Sequence, residues 1–342
     1  MKQHICYFRS NQYSDYVSFL HGFKGKQYQP ENFIGNDWWE QKLPLPGYLL
    51  HANLPEEISA RCIITARQLS YQSKIFNCYE IGGTITYHPY RRHGLFARLV
   101  TKAMELGFES NASLIYGTPN DRSGPGYRKL NYTFIDQEDS FVVMMATSLK
   151  PIFRKIGIYK KPINNIDYPD EYFSSMRDMN VTMVSSKKYI EITKDFPRMN
   201  YSSTEYLRKR FSVDITTGTS RRFFIGIREN DKFTCALDIY SLSFMKLLLV
   251  SEYYLNGQID HSPKKFSFLR MIASNFYKNY DGIYLKTHIP KMSRIYSIKH
   301  LLLPHRKLPI CYFVKPDMSK ELIDQMMNDL VKIFQLTDCD IG

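Results

Sequence analysis

Arg91-Arg92-His93-Gly94 is a short basic turn between a strand-like run ending in Tyr87-His88-Pro89 and a helical pattern that begins at Leu95. Such a junction can hold an anion. The first-turn amides of a helix have no intrahelical acceptor, and the macrodipole adds positive potential there. Gly94 lets the backbone come close to a pyrophosphate, and Arg91 and Arg92 add charge. A strand–turn–helix junction with one glycine is also a common plain connection, so the turn alone names no ligand.

The elements that must position this turn can be read from periodicity. Tyr48–Ala52, Ile58–Gln68 and Ile75–Tyr87 read as successive strands rich in aromatic and β-branched residues. Leu95, Leu99, Ala103 and Leu106 recur at helical spacing, with Phe96, Val100 and Phe108 widening the stripe. Upstream, Ile5–Phe8 reads as a strand, Asp15–Leu20 as a short helix and Asn36–Glu40 as a capped turn. Downstream, Ser113–Gly117 is a strand and Phe141–Ala146 is expected to close the first set. The pattern dissolves into Lys, Pro and Asn over Lys150–Asp170, where a boundary is placed. The second half repeats the order: a strand at Val181–Val184 and a helix at Ser203–Arg208 lead to a meander of Phe223–Arg228, Phe233–Tyr240 and Leu247–Leu255. A helix at Phe266–Tyr277 and strands at Gly282–Lys286 and Leu308–Val314 follow.

Pro89-Tyr90-Arg91-Arg92-His93-Gly94-Leu95 resembles the acyl-CoA pyrophosphate loop of the GNAT acetyltransferase superfamily, Arg/Gln-x-x-Gly-x-Gly/Ala. Phe96 stands at the loop's last small position. Further on, Asn120 followed by Tyr127-Arg128-Lys129-Leu130-Asn131-Tyr132 is similar to the family's Asn and its "Tyr-x-x-x-Gly-Phe", with Asn131 in place of Gly. Asn also visits the left-handed backbone region. The resemblance implies an α/β (α+β) fold of tandem GNAT-like domains, with mixed, mostly antiparallel sheets flanked by helices. Residues 1–150 would be the acyl-CoA-binding catalytic domain, and 165–342 a degenerate copy with a substrate-binding or structural role. Acetyl-CoA or another acyl-CoA would be the co-substrate, held by Ile85, Thr86, Tyr87, Arg91, Arg92, His93, Gly94, Leu95, Phe96 and Asn120. Backbone amides near Ile85–Tyr87 would carry the pantetheine arm and polarise the thioester carbonyl. Tyr127 matches the family's general acid for the departing thiolate. Glu80 and His88 are candidate bases for the attacking amine, directly or through water.

Composition sets the remaining bounds. A chain of 342 residues suggests two domains. No secretory signal or apolar run of membrane-spanning length is read, so a cytoplasmic location without a membrane span is expected. The six cysteines are scattered without a CxxC pair and read as buried free thiols. No metal is expected, because His261, His288, His300 and His305 lack ligand spacing. The net charge of +13 falls mainly in the second half. It suits the anionic part of a small polar amine, such as an amino sugar or nucleotide-linked sugar, and nucleic acid is not the expected partner. Two alternatives stay open: a transferase using aminoacyl-tRNA, and a non-catalytic binding module of the same fold.

Overall fold

The computed structural model describes residues 4–23, 45–135, 140–146, 183–200, 222–225, 233–242, 245–259, 282–288, 302–307 and 309–334, with the single positions 29, 39, 157 and 207. The helix expected at 203–208, apart from Leu207, the helix expected at 266–277, and the Asn36–Glu40 turn, apart from Trp39, lie outside these residues.

Two seven-stranded sheets carry the fold. The first contains β1 (His4–Arg9), β2 (Tyr48–Asn53), β3 (Ile58–Tyr71), β4 (Lys74–Thr86), β5 (Leu114–Gly117) and β6 (Thr133–Ile135). The second contains β7 (Ser140–Ala146), β8 (Met183–Val184), β9 (Arg222–Ile225), β10 (Phe233–Leu242), β11 (Met245–Leu255), β12 (Gly282–His288) and β13 (Leu302–Lys307). The last strand, β14 (Ile310–Val314), inserts between β5 and β6 of the first sheet. In return, β7 lies between β12 and β13 of the second. This corrects two expectations: Phe141–Ala146 closes the second sheet rather than the first, and the strand ending at Val314 completes the first.

With that exchange, the sheets have one topology. The first runs β1-β2-β3-β4-β5-β14-β6, and the second, from its other edge, β8-β9-β10-β11-β12-β7-β13. In each, the fourth and fifth strands are parallel and the other neighbours antiparallel. Even the first helices correspond. Helix α1 (Tyr13–His21) buries Tyr16 and α4 (Ser186–Thr193) buries Tyr189, each the fourth residue of its helix.

On one face of the first sheet lies α2 (Leu95–Glu109), whose Leu95, Leu99, Val100, Ala103 and Leu106 are buried as the stripe requires. They pack on Ile64, Ala66, Tyr79, Ile81 and Ile115. Each large aliphatic side chain buried this way contributes about 1.5–3 kcal/mol. The opposite face is covered by α1 and, further along, by α5 (Lys320–Leu330), which starts at Ser319, whose Oγ accepts the Leu322 amide at 3.4 Å. In that second layer Leu69, Phe76, Cys78 and Tyr116 meet Met199, Leu247 and Leu249 of the other half. Asn200 forms a β-bridge with Leu69 and accepts the Tyr116 hydroxyl at 3.3 Å. The Tyr71 hydroxyl donates to Asp329 at 2.9 Å. Among the described cysteines, Cys6, Cys62, Cys78, Cys235 and Cys311 are all free thiols.

Candidate active site

Parallel pairing of β4 with β5 runs from Cys78↔Leu114 to Ile81↔Gly117 and stops there, while β4 continues to Thr86 beside β3. A bulge sits at the parting: Gly83 and Thr84 oppose the single residue Cys62. Such an insertion bends its strand and sharpens the local twist, which turns the end of β4 away from β5. The two strands thus open a cleft whose one wall is Gly82–Thr86. Tyr87 donates its amide back to Ser59 O at 3.0 Å. Strand alternation therefore turns the amide and carbonyl of Thr86 to the other side, where its carbonyl accepts Arg91 Nε at 3.3 Å.

At the mouth of the cleft, His88–Tyr90 form a single 3-10 turn, and Arg91–Gly94 lead into α2. Gly94 caps the helix at φ 72°, ψ 8°, a left-handed conformation that side-chain-bearing residues adopt at a cost of about 1–2 kcal/mol. Arg92 is left-handed as well, at φ 68°. Arg91, Arg92, His93 and Gly94 are exposed, and so is His88; Leu95 is buried and Phe96 half-buried. The Tyr90 hydroxyl ties the turn to Glu57.

Asn120 begins the other side. Its Oδ1 accepts the amides of Arg122 at 2.9 Å and Ser123 at 3.0 Å, and its carbonyl accepts Gly124 at 2.8 Å. This turn starts α3 (Gly124–Lys129), which carries Tyr127. Asn131 ends the motif at φ 61°, the backbone conformation that its replacement of Gly requires. Phe96 packs edge-on against Tyr127, with ring centroids 5.1 Å apart. A Cβ on Gly126 would stand 2.5 Å from the Phe96 ring, so a glycine in α3 makes room for the bulk that Phe96 brings to the loop.

Tyr127 is buried, and its ring also meets Tyr132 at 5.0 Å. Burial holds its hydroxyl well above the usual phenol range. Cys62 and Cys311 push the same way, and a hydrogen bond with Thr84 pulls the other way. The hydroxyl therefore stands at the bulge, where the cleft opens. Sequence reasoning passed over Thr84. The adjacent Gly82-Gly83 within a strand pattern was its signal, since glycine inside a strand often marks a bulge.

Glu80 lies elsewhere. Tyr79 and Ile81 face α2, so alternation puts Glu80 on the opposite face. There it is buried and accepts Arg67 Nε at 3.1 Å and Nη2 at 2.9 Å. Glu80 and Tyr127 thus flank β4 from opposite faces, and neither is brought together with exposed His88. Removing one partner of a buried ion pair leaves the other uncompensated, which typically costs about 3–5 kcal/mol. Glu80→Gln is therefore expected to lower the melting temperature by several degrees. An unchanged melting curve with a shifted pH–rate profile would instead mark Glu80 as a base.

Also on the α1 face, His51 is fully buried, with Nε2 3.1 Å from the Tyr16 hydroxyl. Burial, and then the Arg61 guanidinium, lower its pKa to about 3 and keep the ring neutral. Among the described residues no group of three or more His, Cys, Asp and Glu is arranged to hold a metal ion. No helix among them is long and apolar enough to cross a membrane.

Comparison with known proteins agrees with the fold. The profile of the acetyltransferase (GNAT) domain family matches residues 8–135, which include the cleft, the turn and α3. Yeast (Saccharomyces cerevisiae) N-myristoyltransferase, solved with bound myristoyl-CoA, superposes with a TM-score of 0.53 at 10% identity, covering 99% of this chain and 89% of that one. A conserved protein of Enterococcus faecalis V583 superposes with a TM-score of 0.51 at 10% identity, covering 92% of this chain and 73% of its own. Comparison of the sequence with curated proteins gives no match. At such identities the likeness is one of fold, and the chain has the GNAT-superfamily fold.

Proposed function

We propose that the chain is an acyl-CoA-dependent N-acyltransferase whose cofactor site is the cleft between β4 and β5. The observation that carries this reading is the parting of two parallel strands directly beside a basic, left-handed turn that opens α2. The diphosphate sits on the first-turn amides of α2 with Arg91, Arg92 and His93 around it. The pantetheine arm runs along Gly82–Thr86 as an added strand, with Thr86 offering its amide. Thr84 lies two residues below Thr86, about 7 Å at ~3.3 Å per residue, and the lower end of the arm brings the thioester to Thr84 and Tyr127.

Chemistry at that point needs few groups. The amine nitrogen attacks the thioester carbon, the C–S bond breaks, and an amide and CoA thiol are the products. A phenol with a raised pKa is a weaker acid than a thiol, so it does not surrender its proton to the thiolate at equilibrium. Tyr127 acts instead as a hydrogen-bond donor to the sulfur as negative charge develops, and one proton of the amine ends on the thiol. An acceptor that arrives as an ammonium first gives up its extra proton through water, with exposed His88 at the mouth as the titratable group beside that wall. The first lobe, residues 1–150 completed by β14 and α5, is the catalytic unit. The second, within 165–342, holds the acceptor, and its positive charge suits a small amine carrying an anionic group, such as a nucleotide-linked amino sugar.

Tyr127→Phe tests the mechanism, because it removes only the hydroxyl. CoA affinity by calorimetry is expected to stay within a few-fold. Single-turnover transfer to a surrogate amine is expected to slow by about 10²–10³-fold, the usual cost of losing one hydrogen-bond donor to developing charge. A wild-type rate in this variant would reduce Tyr127 to a packing residue.

A further inference from the structure

The floor of the cleft tells how much acyl group it can take. Pairing between β4 and β5 begins, seen from the mouth, at Ile81↔Gly117. A Cβ on Gly117 would stand 2.9 Å from Ile81 Cγ2 and 2.9 Å from the Ile81 carbonyl oxygen. Ile81 therefore lies directly on the backbone of β5 and closes the gap between the strands, and it is itself buried. Beneath it on the α2 face the layer is filled by Tyr79 and Ile115, both at 0% exposure. On the α3 side, the rings of Phe96, Tyr127 and Tyr132 pack edge-on against one another in sequence. A chain entering past the Thr84 bulge meets the Ile81 side chain within three residues.

We infer that Ile81, seated on Gly117, is the specificity-determining residue for the acyl group and restricts it to acetyl or propionyl size. The inference rests on the proposed cofactor site and adds the substrate class that the site accepts. Ile81→Ala opens the floor toward Tyr79 and Ile115, where the tail of a longer chain gains apolar contact in place of the deleted carbons.

The experiment is calorimetric titration of the full chain, and of Ile81→Ala and Ile81→Val, with CoA, acetyl-CoA, butyryl-CoA and octanoyl-CoA. The wild type is expected to bind octanoyl-CoA at least ten-fold more weakly than acetyl-CoA. In Ile81→Ala that ratio is expected to shrink by ten-fold or more, with butyryl-CoA gaining first. Ile81→Val removes a single carbon and should move the ratio less in the same direction, which keeps the test intact if Ile81→Ala does not fold. Equal affinity of the wild type for octanoyl- and acetyl-CoA, or an unchanged ratio in both folded variants, overturns the role of Ile81. Failure to bind CoA itself is a different result: it removes the cofactor site on which the inference stands.

Discussion

Gly94→Glu is expected to abolish CoA binding in a chain that still folds. The left-handed cap costs a side-chain-bearing residue about 1–2 kcal/mol, and a Cβ at Gly94 meets nothing within 4 Å, so the folded state survives. The added carboxylate stands beside the amides proposed to hold the diphosphate. Two like charges about 4 Å apart repel by roughly 1–4 kcal/mol between bulk-water and near-surface screening. At 1.4 kcal/mol per factor of ten, charge alone weakens binding by about 5- to 10³-fold, and bulk against the phosphates adds to that. Gly94→Ala carries the backbone cost without the charge and should bind within about ten-fold of wild type. Calorimetry with CoA, alongside thermal unfolding, reads both. Full affinity in a folded Gly94→Glu chain would move the diphosphate away from the start of α2.

The turn was legible because its chemistry is local: a glycine, two arginines and the change of period from strand to helix all lie within ten residues. Helix α2 was legible for the same reason: Leu95, Leu99, Val100, Ala103 and Leu106 of its stripe are buried, and Phe96 and Phe108 at its margins are half-buried. Helix α5 was as readable but was passed over. Ser319 caps it, and Ile323, Met326, Met327 and Leu330 recur at helical spacing on the buried side. Helix α4 left a fainter trace, because Lys187-Lys188 interrupt a helix of only eight residues.

The strand exchange could not be read at all. β7 (SFVVMMA) and β14 (ICYFV) are both short apolar runs, and a buried strand of that kind fits either sheet. Pairing partners are set by the closure of the whole fold, not by the strand's own pattern. The floor of the cleft is hidden for a related reason. That Ile81 rests on Gly117 follows from the register of two strands more than thirty residues apart.

That exchange has a large consequence for any attempt to separate the halves. β14 lies between β5 and β6, pairing Cys311↔Gly117, Tyr312↔Tyr116, Phe313↔Ile115 and Val314↔Leu114 on one side and Ile310–Tyr312 with β6 on the other. β5 is the second wall of the cleft, so the wall is braced by a strand from the far end of the chain. A fragment of residues 1–150 would lack β14 and α5, and with them the buried Ile310, Cys311, Tyr312, Ile323, Met326 and Met327. At about 1.5–3 kcal/mol for each large buried side chain, the loss rivals a whole domain's net stability of roughly 5–15 kcal/mol. Residues 151–342 would in turn lack β7, which stands between β12 and β13. Each half expressed alone is therefore expected to be insoluble, or to unfold without a cooperative transition and without CoA binding. Co-expressed, the two halves should assemble into one particle that binds CoA, because each supplies the strand the other needs. Co-purification, thermal unfolding and calorimetry with CoA check this together. A monomeric 1–150 fragment that unfolds cooperatively and binds CoA like the full chain would show that β14 is dispensable to the cleft.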